Sequence, residues 1–562
     1  MRMFALAACL AVVAMPALAQ DRTLSDAPPI PVHITVDAAR PQGELKPIWR
    51  FFGADEPNYA TMKDGRKLMG HLGELRPEQV YFRAHNLLNT GDGTPAFKWG
   101  STNAYTEDAN GNPVYDWTVT DGIIDTYRAR GVKPYLQIGF MPQALSSASK
   151  DTPYQHSWRP GFAYELIGGG WNAPPVSYEK WAELVYQWTR HNIERYGRAE
   201  VASWYFEVWN EANGPAYWTG TPEEFYKLHD YAIDAIRRAL PEARVGGPDV
   251  AGSGGAFMDG FLKHVVSGTN YATGGTGTPT DFLSFHAKGQ PKVVDGHVRM
   301  GMQSQLKAVD TGFGKIAAVP ELKSKPVVIG ESDPEGCAAC PGPQNAYRNG
   351  TLYASYTAAS FARIWQLADR HQVNLEGALT WAFTFEDQPW FAGYRQLASN
   401  GIDLPVMNVF RLFAQLQPTQ VSATSDAQIA LDEVMTKGVT TNPDIGVIAT
   451  RAKDGKLAVL VWHYHDDDVA GPDAEVTLDL SGLGKAKART VTQWRVDRDH
   501  GNAFTAWQRL GAPQSPDQKQ YQVLEAASVM APETLAPLAV KKGAGTVAFR
   551  VPRQGVTLLV IE

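Results

Sequence analysis

Eight short, largely apolar runs punctuate the chain between about residue 46 and about residue 414, with amphipathic stretches between them. They cover residues 49–53, 80–84, 133–139, 204–209, 245–248, 281–285, 327–330 and 376–383. Runs this short, apolar on both faces and bounded by Pro, Gly or charge, read as parallel strands buried from both sides. Helical periodicity fills segments between them, among them 62–72, 120–130, 178–196 and 223–239. Eight such units predict an α/β architecture, a (β/α)8 barrel with enlarged loops over residues 46–414. An open doubly wound sheet usually carries a Gly-rich phosphate turn after its first strand, and none is present here.

The texture changes from residue 415. Segments 445–449, 457–462, 474–480, 490–494 and 555–561 alternate or run apolar between turn signals, the pattern of an antiparallel β-sandwich over residues 415–562. A strand-like run at 33–37, within an N-terminal region 20–45, is expected to pair with this sheet and make that domain discontinuous. A length of 562 residues suits such a two-domain plan.

The first 19 residues read as a cleavable signal peptide. Arg2 supplies the positive end, residues 4–15 the short apolar stretch, and Ala17-Leu18-Ala19 the cleavage site. The apolar stretch is too short to span a bilayer, and no other segment is apolar enough to do so. A secreted or periplasmic protein is therefore expected. Cleavage removes Cys9 and leaves Cys337 and Cys340, for which a short-loop disulfide is the leading expectation in an oxidising compartment. A structural zinc would need two more ligands, and no second Cys or His pair supplies them. With a net charge of −7 and no basic stripe, nucleic acid is excluded as an expected partner. The 16 Trp and 22 Tyr suit stacking on sugar faces.

Catalytic side chains of such barrels sit at the C-terminal ends of strands. That rule selects Glu211, after the fourth run, and Glu331, after the seventh, which face each other across the mouth. Two carboxyl groups in different environments can cleave a glycosidic bond: one protonates the leaving oxygen, the other compensates charge at the anomeric carbon. The aromatic neighbours Trp204, Trp209 and Trp218 suit Glu211 to the acid role, and the Gly-flanked strand end suits Glu331 to the nucleophile. Asn210 can hydrogen-bond a sugar 2-hydroxyl. Glu335 is a rival nucleophile, but it lies past Pro334 in a loop.

Trp209-Asn210-Glu211-Ala212-Asn213 resembles the acid/base motif of retaining barrel glycosidases. Phe82-Arg83-Ala84-His85-Asn86, Gly139-Phe140-Met141-Pro142, Gly247-Pro248, Phe282-Leu283-Ser284-Phe285-His286 and Thr380-Trp381-Ala382-Phe383 are similar, in order, to strand motifs of glycoside hydrolase family 39, which holds β-xylosidases and α-L-iduronidases. The resemblance implies Glu211 as acid/base and Glu331 as nucleophile, with His85, Asn210 and His286 lining the subsite of the cleaved sugar. It implies hydrolysis with retention, needing no metal or other cofactor. Trp381 and Glu386, and less strongly Trp390 and Tyr394, are expected substrate contacts beyond the eighth run. His156, Trp158 and Arg159 are candidate walls in a long loop. The chain departs from the family at Ala212, where Pro is usual, at Gln143, where Glu is frequent, and in the 332–337 segment.

The expected substrate is a glycoside or oligosaccharide, with terminal β-xylosyl residues first. An arabinosidase, an exopolysaccharide glycosidase or an inactive carbohydrate-binding protein are the alternatives. A uronic acid substrate should need a basic clamp, for which Arg83, Arg159 and Arg395 are the candidates.

Overall fold

The computed structural model describes residues 25, 27–95, 97, 99–148, 168–340 and 342–562. The signal-peptide segment and the loop holding His156, Trp158 and Arg159 lie outside the described residues.

Eight parallel strands form one sheet in sequence order: Phe51–Ala54, Val80–Ala84, Val132–Ile138, Tyr205–Val208, Arg244–Val250, Phe282–Lys288, Pro326–Asp333 and Asn374–Ala378. The eighth meets the first through Thr380, which pairs with Phe52, so the sheet closes into a barrel. Six aromatic side chains (Phe51, Tyr81, Tyr135, Tyr205, Phe282 and Trp381) join Val328 and Leu379 to fill the interior. Burying each of the larger ones contributes about 2–3 kcal/mol. Gly53 matters here: a Cβ would stand 2.4 Å from the Trp381 ring and 2.6 Å from the Arg83 carbonyl oxygen. The first strand therefore needs glycine for the ring to cross it.

The helices Lys63–Leu75, Thr118–Ala129, Tyr178–Tyr196 and Pro222–Ala239 follow the amphipathic pattern closely. The last starts in a capping box, in which Thr221 and Glu224 satisfy each other's backbone N–H groups.

The second sheet has nine strands and wraps one core of its own. Ile30–Glu44 lies inside it, between Thr419–Ser425 and Ala474–Ser481. Its pairing with Ala474–Ser481 is parallel, so the expected all-antiparallel sandwich is a mixed sheet. Parallel neighbours are joined by a long connection and not by a hairpin, and the barrel lies between these two strands in the chain. Leu457–Tyr464 is buried on both faces. Leu457, Val459 and Val461 face the sandwich core, while Ala458, Leu460 and Trp462 pack on the barrel side with helix Thr351–His371. Two helices that the sequence pattern did not announce, Ala503–Arg509 and Gln518–Ser528, interrupt this domain and pack near Phe391 and Trp390.

Candidate active site

Strand four stops at Val208, and the next three residues turn sharply. Trp209 has φ 72° and Glu211 has φ 48°, left-handed values that cost energy in residues with a Cβ. The surroundings fix them. The Trp209 backbone N–H donates to Ile138, that of Glu211 to the Asp249 carbonyl, and the Trp209 ring N–H to Tyr217. Asn213 and the Ala251 backbone exchange two hydrogen bonds, at 2.8 and 3.1 Å, which ties this turn to strand five. Trp209 and Trp218 pack behind the turn, but Trp204 lies at the opposite end of strand four, where its ring N–H donates to Glu200.

Glu331 stands on strand seven at a register shift against strand six. The Lys288 ammonium lies 2.6 Å from its carboxylate, with Arg83, His85 and His286 each at 3.8 Å. Burial alone would raise the carboxyl's pKa, but the cations of His286 and Lys288 hold it well below the usual range. Glu331 is thus ionised, as a nucleophile must be. A carboxylate oxygen of Glu211, a ring nitrogen of His286 and a carboxylate oxygen of Glu331 lie within 4.8 Å of one another.

Arg83 forms the floor of the site. Its fully buried guanidinium donates to Glu207 at 2.6 Å and to Asn210 at 3.0 Å, and pairs with Asp249. It also donates to His85 Nε2 at 3.1 Å. His85 Nδ1 faces Asp55 at 2.8 Å. Burial, reinforced by Arg83, lowers His85 to about 3, so it is neutral and donates from Nδ1 while accepting at Nε2. Trp381 covers both groups, 4.4 Å from the His85 ring and 5.1 Å from the Arg83 guanidinium. Burial, offset in part by Arg83 and reinforced by Asp249, pushes Glu207 up to about 7.

His286 is more deeply placed than a wall of the sugar subsite would be. Its side chain is 0% exposed, and both ring nitrogens face carboxylates, Nδ1 to Glu211 and Nε2 to Asp249, each at 2.7 Å. Asn210 stands beside Arg83: its Oδ1 accepts from the guanidinium, and its buried amide nitrogen has no protein partner. That leaves a donor for a ligand.

Other expected contacts lie elsewhere. Glu386 accepts the backbone N–H groups of Asp64 and Gly65, both at 3.1 Å, and so caps helix Lys63–Leu75. Its carboxylate complements the positive end of that helix and is spent there. Trp390 packs on Tyr521 and Phe391, and Tyr394 on Phe97 and Phe385, so neither stands with the carboxylate pair. Glu335 is held by Tyr347, Arg348, Arg395 and the Cys337 N–H, which makes it the anchor of the loop after strand seven. Cys337 and Cys340 are bonded as a disulfide in that loop. Gln143 starts a short 3-10 turn, its N–H donating to Thr90, and Ala212 is buried beneath the acid/base turn.

Three residues of the site carried no motif: Lys288, Asp249 and Glu207. The signal that finds Lys288 is the period-2 alternation of a strand, whereas Asp249 sits where the register of strand five is broken. Lys288 is two residues beyond His286 on the same face of strand six, and Asp249 follows the Gly-Pro pair of strand five. Arg83, His286 and Lys288 are the cations that face the carboxyl groups of Glu207, Asp249, Glu211 and Glu331, and Lys288 also pairs with Asp333.

Comparison with known proteins gives a consistent family. The model of "Glycosyl hydrolases family 39" matches residues 32–545. A β-xylosidase of Geobacillus stearothermophilus is 26% identical over 507 residues, covering 86% of this chain and 87% of the relative. An α-L-iduronidase of Homo sapiens is 25% identical over 560 residues, covering 90% of this chain and 75% of the relative. Among solved structures, a monomeric β-xylosidase from Caulobacter crescentus superposes with a TM-score of 0.72 at 22% identity, over 94% of this chain and 99% of that one.

Proposed function

The chain belongs to glycosyl hydrolase family 39, and from that premise we propose that it is a retaining glycosidase releasing terminal β-xylosyl residues from oligosaccharides by double displacement. One observation carries this reading: oxygens of Glu211 and Glu331 approach within 4.8 Å. Retaining glycosidases hold their carboxyl groups about 5–5.5 Å apart, whereas inverting ones leave about 6.5–9.5 Å for a water. In the first step Glu211 gives its proton to the leaving oxygen while Glu331 bonds to the anomeric carbon. In the second, Glu211 takes a proton from water, whose oxygen displaces Glu331. The β-xylosidase relatives, at 26% and 27% identity, support a pentosyl substrate. The disulfide between Cys337 and Cys340 supports export to an oxidising compartment.

The acid role of Glu211 is tested by Glu211→Gln. Aryl xylosides with a good leaving group, such as dinitrophenolate, should keep most of their first-step rate. Those with a poor leaving group should lose roughly 10²–10⁴-fold, because only they need the proton. A loss independent of leaving group would contradict the assignment.

A second reading, hydrolysis of uronosides, is favoured by Lys288. Arg83 and Arg395 are fully buried and committed to Asp249, Glu207 and Glu335, whereas the Lys288 ammonium, which bridges Glu331 and Asp333 at 2.6 Å each, keeps part of its side chain exposed. A panel of aryl β-xylosides and aryl uronosides separates the two readings by kcat/KM.

A further inference from the structure

Asp249 is an unusual residue at an unusual place. It lies on strand five with φ 49°, is fully buried, and bridges two cations, Arg83 and His286. Its second oxygen, Oδ1, has no hydrogen-bond partner and lies over Gly330, where a Cβ would stand 1.8 Å away. The glycine before Glu331 thus makes room for this carboxylate, and one side chain touches both the strand of the nucleophile and the histidine under the acid/base.

We propose that Asp249 is a positioning residue that acts on Glu211 through His286: by holding the Nε2–H, it makes Nδ1 an N–H donor to the Glu211 carboxylate throughout the cycle. This rests on the glycosidase reading above. The argument is geometric. A neutral imidazole has one N–H, yet both ring nitrogens of His286 face carboxylate oxygens at 2.7 Å. Both contacts are hydrogen bonds if the ring carries two protons or a carboxyl group carries one; a Glu211 proton given to Nδ1 would point away from the leaving oxygen it must reach, which leaves a doubly protonated ring or a protonated Asp249. Arg83 keeps Asp249 ionised, its pKa lowered although burial opposes this. His286 faces Glu211 after strand four, Asp249 on strand five and Glu331 on strand seven; around these carboxylates stand Lys288 and His85, which approach Glu331, and Arg83, which pairs with Asp249. Burial opposes the charged ring, but Asp249 and Glu331 hold His286 up to about 10. The ring therefore enters both half-reactions as an imidazolium. Glu211 gives up its proton to the leaving oxygen as the C1–O bond breaks and C1 bonds to Glu331. It then recovers a proton from water as the water oxygen bonds to C1 and the Glu331 bond breaks. His286 keeps both of its protons and stabilises the Glu211 carboxylate between the two steps.

The test is Asp249→Asn, a substitution that tolerates the left-handed backbone. Without the negative charge, His286 loses its second proton near neutral pH, and the Glu211 carboxylate loses its charged donor. Loss of a cationic donor favours the protonated form of the carboxyl group it faced. The basic limb of the kcat/KM profile on an aryl xyloside should move up by about one pH unit or more. In a His286→Gln background the same substitution should move the limb no further. An unmoved limb, a shift to lower pH, or an equal shift in both backgrounds overturns the proposal. A second measurement needs no turnover: the ¹⁵N-histidine spectrum of the parent at pH 8 should contain an imidazolium that is absent from His286→Gln and neutral in Asp249→Asn. A neutral His286 in the parent overturns the proposal. Lack of hydrolysis of every glycoside tested, with the imidazolium present, counts against the glycosidase reading alone.

Discussion

Glu331→Ala should lower kcat/KM on aryl xylosides by roughly 10⁴-fold or more, equivalent to about 5.5 kcal/mol of transition-state stabilisation. The reason is the absence of a substitute. Glu331 is ionised by the cations around it, and Lys288 holds it at 2.6 Å. The carboxylates that follow it are both engaged: Asp333 pairs with Lys288 at 2.6 Å and accepts the Trp381 backbone N–H, and Glu335 in the loop beyond is tied to Arg348, Arg395, Tyr347 and a backbone N–H. Azide should restore part of the rate. A small anion can enter the space vacated by the carboxylate and attack the same face of C1, so the azide product should have the opposite anomeric configuration to the substrate. Residual activity within tenfold of the parent would contradict the assignment.

Arg83→Met should have the largest effect on stability, lowering it by about 3–5 kcal/mol. Arg83 is fully buried and neutralises Glu207 and Asp249. Methionine fills similar volume but leaves two carboxyl groups buried without their cation, which costs more than the lost pairing itself. Glu207 can escape by taking up a proton, since its pKa already lies at about 7. Asp249 loses one of its two cations and then leans on His286 alone. The urea midpoint of unfolding should fall at pH 8 and recover in part at pH 6, where protonated Glu207 no longer demands a counter-charge. A midpoint unchanged at pH 8 would show that the floor of the barrel does not depend on this ion cluster.

The sequence pattern located the eight strands well, and the reason is physical. Strands buried on both faces are apolar without interruption, so runs such as 80–84 coincide with the observed Val80–Ala84. The pattern failed where a strand ceases to be apolar. Strand five was expected to end at residue 248 and strand six at residue 285, but they continue to Val250 and Lys288. The polar residues in those extensions, Asp249 and Lys288, are stabilised by partners from other strands that no single segment reveals. Glu211 and Glu331 were readable as candidates because each closes an apolar run. Their electrostatic support was not, because Arg83, Glu207, Asp249 and His286 meet only when four strands close into a barrel. Glu386 has a partner of the same hidden kind. It follows strand eight as a ligand-facing residue would, yet its carboxylate satisfies two N–H groups of a helix more than 300 residues earlier.

The sandwich shows the same division. Alternation along 474–480 predicted a strand with one wet face, and Ala474–Ser481 has it. The parallel pairing with Ile30–Glu44 joins strands that lie on either side of the barrel in the chain, which no local pattern encodes.

The central claim is that Glu211 and Glu331 act as a retaining pair. It is tested most directly by following the hydrolysis of an aryl β-xyloside by ¹H NMR and observing which anomer of the sugar forms first. The close approach of the two carboxylates predicts β-xylose as the first product, with the α-anomer appearing only as mutarotation proceeds. Initial formation of the α-anomer would show single displacement by water and would contradict the account.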